Sequence, residues 1–151
     1  MPGSSPGMTS GYYPMILRAC LCFSIIACGL ALRRFGLGVG LPVSIVKYGG
    51  SVLWGTMVFF LVALAASKLA RRSIALISIL IAIGVELFRL VHAPWLDEFR
   101  LTLPGALLLG RIFSAWDMLA YGAGIVLGMG LDRFAISTFT KVARETPHSA
   151  S

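Results

Sequence analysis

The sequence predicts an all-α integral membrane bundle of four transmembrane helices, and three observations lead there. Mean hydropathy is +0.88. Only 13% of the 151 residues are charged, against about 25% in ordinary soluble domains. The apolar residues also gather into runs close to the roughly 20 residues a helix needs to cross a hydrocarbon core. In lipid each run must be helical, because its backbone N–H and C=O groups find partners only within their own segment.

The leader, residues 1–12, is rich in Gly, Ser and Pro and carries no periodicity, so it is expected to be disordered, with Met8 or Met15 as alternative starts. The first span is expected at about 13–32. The loop 33–50 is broken by glycines and Pro42 and is expected to run along the membrane surface, anchored by Lys47 and Tyr48. Within it GLGVGLP, residues 36–42, is glycine-rich but lacks the following charged helix that a phosphate-cradling loop requires. The second and third spans are expected at about 49–67 and 73–91; the linker SKLARRS is short enough to make them antiparallel neighbours. Pro94 ends the third span, so that Asp97, Glu98 and Arg100 leave the membrane. LTLPGALLLGRIF, residues 101–113, is apolar but too short to span and suits a short interfacial or re-entrant segment between helices three and four. The fourth span is expected at about 117–131, capped by Ser114, with 135–151 as a polar tail. Residues 13–134 thus form a single transmembrane domain.

The formal charge of +7 does not imply nucleic acid, because the 13 Lys and Arg are scattered through short loops. They describe topology instead. Arg18, Lys68, Arg71, Arg72, Arg133, Lys141 and Arg144 lie on one side, against Arg33, Arg34, Lys47, Arg89, Arg100 and Arg111 on the other. That bias of one residue favours both termini in the cytoplasm. Cys20, Cys22 and Cys28 all sit in the first apolar run and read as small lipid-facing or packing residues. The alternative is a lipoprotein processing site at Cys28.

The stretch ELFRLVHAPWLDEFR, residues 86–100, places charges where they are costly. A carboxylate at the centre of a lipid-facing helix costs roughly 2.5–3.5 kcal/mol on insertion scales, so Glu86 and Asp117 are expected to face protein. At about 100° per residue, Ala75, Ala82, Glu86 and Arg89 share one stripe, and Asp117, Tyr121, Gly124 and Gly128 share another. Ala120, Gly124 and Gly128 form a small-xxx-small series that admits a neighbouring helix. The simplest arrangement packs the third helix on the fourth, both acids sharing Arg89, Arg100 and Arg111.

Glu86, His92 and Asp117 are the catalytic candidates: Glu86 as a proton carrier or general acid, His92 as a base or metal ligand, and Asp117 as a further group handling protons. Arg89, Asp97, Arg100, Arg111 and Tyr121 are the candidates for holding a substrate such as a phosphate head group. Each has a plainer reading: the acids and arginines as helix-to-helix locks, His92 as an interfacial hydrogen bonder, and Asp97 with Glu98 as a solvated loop. Trp95 and Trp116 match an aromatic belt, which needs no further role. No second His or Cys stands at ligand spacing, so no metal is expected, and no cofactor fingerprint is present.

The runs E-L-x-x-x-x-H-x-P-W-L-D-x-x-R from Glu86 and W-D-x-x-A-Y-x-x-G-x-x-x-G from Trp116 resemble the bacterial membrane family DUF2809, with the likeness expected over nearly all the chain after residue 30. More distantly, the glutamate, arginine and aspartate ahead of a glycine-lined last helix resemble the VanZ-like group, which is associated with glycopeptide resistance. Two positions depart from these patterns. The closer family often has an aspartate where this chain has Ser51, and the VanZ-like group usually has an asparagine at Tyr121. The favoured expectation is a structural or accessory envelope protein, contacting membrane lipid and pairing with a second copy or another membrane protein. The alternative is a VanZ-like membrane enzyme or head-group-binding protein. Transport ranks third, because the first two spans carry almost no charge beyond Arg18 and Lys47.

Overall fold

The computed structural model describes residues 12–88, 90–91, 94–102 and 115–145, with backbone alone at 12–13, 100 and 139–145. Five helices are described: α1 (Tyr12–Phe35), α2 (Val43–Ala65), α3 (Arg71–Phe88), α4 (Pro94–Leu101) and α5 (Ala115–Glu145). No strand occurs among the described residues. Pro14–Phe35, Val43–Ala65 and Ala115–Thr138 are long and apolar enough to cross a membrane. The described residues are those of an all-helical membrane protein.

The first turn of the chain comes later and tighter than its sequence suggests. α1 continues through Arg33 and Arg34, whose charges complement the negative end of the helix. Gly36 N–H then bonds to Leu32 O at 2.9 Å, and Leu41 N–H to Gly36 O at 3.0 Å. Gly40 supplies the left-handed turn at φ 88°. The expected surface loop 33–50 is therefore shorter, because Pro42 opens a helix. It is the cap residue, still extended at ψ 141°, and its carbonyl accepts from Ile45 and Val46. Lys47 and Tyr48 thus stand on α2.

α5 also outruns expectation. Asp132 and Arg133 read as the end of the apolar run, and residues 135–151 as a tail, yet the helix continues to Glu145. No Gly or Pro interrupts residues 133–145, and Pro147 is the next residue to forbid continuation. The segment Pro94–Leu101, expected as a solvated loop, is a short helix with proline at its first position, where a missing N–H is harmless. The leader to residue 11, the re-entrant segment from residue 103, and Ser114 lie outside the described residues.

Contacts between helices fix the chain direction. Going down α2, Gly55 meets Tyr121, Thr56 meets Gly124, and Phe59 meets Gly128 of α5. Both residue numbers rise together, so α2 and α5 run parallel. α1 opposes them, with Gly49 against Leu32 and Gly29 against Leu53. Arg71, at the start of α3, meets Asp132 well along α5, so α3 is antiparallel to it and carries the chain back between the two parallel helices. The core between the helices is Phe59, Phe60, Ala63, Ile74, Tyr121 and Ile125.

Two buried polar layers form the candidate functional site

α3 buries one lane, Ile74, Ala75, Ser78, Ala82 and Glu86. Four of these five repeat every fourth residue, as a single face of a helix must. Its serine hydroxyl is buried but satisfied, donating to Ile74 O at 2.8 Å. Glu86 closes the lane at 0% exposure. On α5 the lane Asp117, Tyr121, Gly124 and Gly128 is likewise turned inward, with Asp117 at 5% and Tyr121 at 3% exposure.

The glycines of that lane lie against α2. A Cβ at Gly124 would collide with the carbonyl of Val52 and approach Thr56 N to 3.0 Å; one at Gly128 would meet Phe59 Cδ1 at 2.9 Å. From the other side, a Cβ at Gly55 would lie 2.5 Å from Tyr121 O. At this crossing Thr56 Oγ1 donates to Gly124 O at 2.8 Å. The expected packing of the third helix on the last is present, and a second neighbour joins it. α5 also touches α3, but α2 packs on it more extensively, because small residues on both helices let their backbones meet. The lane Ala120, Gly124, Gly128 is consequently filled within the chain.

Around Asp117 lies the first polar layer. Ser51 Oγ is 3.3 Å from Asp117 Oδ1 and 3.2 Å from Lys47 O, so its one hydrogen is shared between two acceptors. The departure from the family pattern at Ser51 therefore falls on a residue that touches Asp117. Trp54 stacks at a tilt on Tyr121, ring centroids 4.7 Å apart. Glu86 lies at the same end, near the C-terminus of α3. Of the other candidates, Asp97 is half-buried on α4. Arg89, His92 and Arg111 lie outside the described residues, as does the side chain of Arg100.

The second layer has no counterpart among the sequence candidates. Asp132, 1% exposed, accepts from Arg18 Nε at 2.6 Å and Nη2 at 3.1 Å, and from Arg71 Nε at 3.0 Å. Arg18, 8% exposed, also gives Nη1 to Ala63 O at 3.3 Å. One carboxylate thus clasps α1 and α3 to α5, and one guanidinium reaches the end of α2. The signal was within reach: stepping four residues past Gly128 along the buried lane of α5 lands on Asp132. Ending the helix at residue 131 hid it. Among the described residues no group of three His, Cys, Asp or Glu is placed to hold a metal ion.

The layers are evenly spaced. Asp117 to Asp132 on α5, and Arg71 to Glu86 on α3, are each about fifteen residues, or roughly 22 Å at 1.5 Å per residue. Outside the bundle the helices are apolar, with Phe23 at 76%, Val126 at 63% and Phe134 at 71% exposure. Cys20 and Cys28 face outward and Cys22 inward.

Apolar outer faces around two internal polar layers define a small helical membrane protein. The chain belongs to the DUF2809 family, described as proteins of unknown function, whose profile matches residues 41–125. The match is shorter than the likeness expected after residue 30: it holds Ser51, Glu86 and Asp117 but neither Arg18 nor Asp132. No solved structure matches the chain.

Proposed function

We propose that the chain is a four-span membrane protein with a structural or accessory role in a bacterial cell envelope, its termini on the cytoplasmic side of the inner membrane. α3 is the fourth span. It carries three charges, Arg71, Arg72 and Glu86, but Arg71 and Glu86 belong to the two polar layers. A separation of roughly 22 Å puts those layers a few ångströms inside the edges of a hydrocarbon core about 30 Å thick. The parallel course of α2 and α5 supports the same reading, since the chain between them has to return across the bundle.

The observation that carries the structural role is the enclosure of the acids: Glu86, Asp117 and Asp132 are 0%, 5% and 1% exposed. Side chains so withdrawn join helices more readily than they meet a substrate. A partner, whether a second copy or another membrane protein, has the outer helix faces to dock on, because the glycine lane is already occupied by α2.

A second reading, a VanZ-like enzyme or head-group-binding protein, draws on the burial of Glu86 and Asp117 at one end of the bundle, with Asp97 and Glu98 on the short helix that follows α3 in the chain. Glu86→Gln and Asp117→Asn separate the two, scored for membrane accumulation, melting in detergent and an envelope phenotype such as glycopeptide tolerance. Early melting and poor accumulation are expected. Variants that fold normally yet lose the phenotype would transfer the role to a working site.

A further inference from the structure

We propose that the Arg71 end of the bundle holds the head group of an anionic phospholipid drawn from the surrounding membrane. This goes beyond the structural role and rests only on the reading of the chain as a membrane bundle. The two guanidiniums at Asp132 are used differently. Arg18 is consumed within the protein, giving two nitrogens to the carboxylate and the third to Ala63 O. Arg71 gives only its Nε, and its side chain is 39% exposed. Two cations share one anion, so the clasp keeps a positive charge that Asp132 does not cancel, and it lies on the exposed arginine.

The surroundings strengthen that charge. Lys68, Arg72 and Arg133 are all exposed and stand within one helical turn of Arg71 or Asp132 along the chain. Of the other acids, Glu86, Asp97, Glu98 and Asp117 belong to the opposite end, and Glu145 lies more than three helical turns beyond Asp132, at the end of α5. The free N–H groups of α3's first turn add their partial positive charge. A guanidinium whose Nε edge is fixed by a carboxylate keeps its terminal nitrogens in a set plane, the geometry that phosphate oxygens accept.

Below the charges the surface changes character. Leu76 and Leu80 follow Arg72 at helical spacing down the outer face of α3, each 59% exposed. A free phosphate would meet only the cations. A phospholipid meets both, its phosphate at Arg71 and Arg72 and its acyl chain along the leucines, so a lipid is the occupant this surface fits.

The test titrates the full chain, in a nonionic detergent, with phosphatidylglycerol, phosphatidylcholine or inorganic phosphate while the melting midpoint is followed. Phosphatidylglycerol is expected to raise the midpoint saturably and the other two to leave it unmoved. Neutralising Lys68, Arg72 and Arg133 together to Gln should raise the half-effect concentration on the order of a hundredfold, at roughly fivefold per cation near an anionic surface. Arg33→Gln, Arg34→Gln and Lys47→Gln, the same loss of charge at the other end, should leave the titration unchanged. If the first triple variant melts early without lipid, Arg72→Gln alone serves, with a shift of about fivefold expected. Equal shifts from both ends, a rise that never saturates, or a phosphate response matching that of the lipid would each overturn the proposal.

Discussion

The two ends of the bundle bury carboxylates in different ways. At one end Asp132 is met by two arginines from two other helices. At the other, Asp117 accepts, among its contacts, from a serine hydroxyl on α2 at 3.3 Å, and Glu86 is buried on the neighbouring α3. A charge removed from water costs several kcal/mol, recovered only when the partner geometry is excellent. The clasp meets that condition with three charged contacts of 3.1 Å or less. The clasp thus fastens three helices through one carboxylate, while Asp117 ties α5 to the hydroxyl on α2 as one of its contacts.

The comparison is broken most forcefully at Asp132. Asp132→Asn keeps the shape and removes the charge, leaving Arg18 buried opposite a neutral amide. Loss of one partner of a buried pair typically costs about 3–5 kcal/mol. A large drop in melting temperature in detergent is expected, together with poor accumulation in the membrane. Replacing both partners, Arg18→Met with Asp132→Leu, should recover much of that loss, because no unpaired charge is left; a double variant no better than the single would show that the clasp does more than cancel charge.

Between the ends the backbones of α2 and α5 set the spacing on which both layers depend. Gly124→Ala places a methyl against the Val52 carbonyl, which cannot swing aside as a side chain could. Overpacking of this kind costs about 1–3 kcal/mol. Thr56→Val keeps the volume and removes the donor to Gly124 O, for a smaller loss of about 1 kcal/mol. Both are read by denaturant or thermal unfolding. Gly130, whose added Cβ would meet nothing within 4 Å, is the control, and Gly130→Ala should be tolerated.

The legibility of the molecule follows the same division. The apolar runs announced helices, because lipid leaves the backbone no alternative. The inward turn of Glu86 and Asp117 was readable from cost alone, and the stripe Asp117, Tyr121, Gly124, Gly128 from helical period. Their partners were not: that Gly124 faces Val52 and Thr56 on α2 depends on which helix lies next to it, and a single helix's periodicity carries no such information. The clasp was hidden by a more specific error. Asp132 and Arg133 look like a boundary in a hydropathy profile, and it takes partners as distant in sequence as Arg18 and Arg71 to hold a buried aspartate there. Pro42 misled in the opposite sense, since the same residue punctuates loops and opens helices.

Ser51→Ala is the mildest of these changes and the most informative about the acid end. It removes the hydroxyl shared between Asp117 Oδ1 and Lys47 O and leaves every packed surface in place. Hydrogen bonds between membrane helices average about 0.6 kcal/mol by double-mutant cycles, and a shared, 3.3 Å contact should not exceed that. A melting shift of a degree or two is therefore expected, far below that of Asp132→Asn. A loss comparable to Asp132→Asn would mean that Asp117 relies on Ser51 as Asp132 relies on its arginines, and the two ends would then be fastened alike. A shift near zero, combined with a large effect of Asp117→Asn, would place the holding force on Asp117's remaining contacts and make that carboxylate, rather than the hydroxyl on α2, the group to follow in any functional assay.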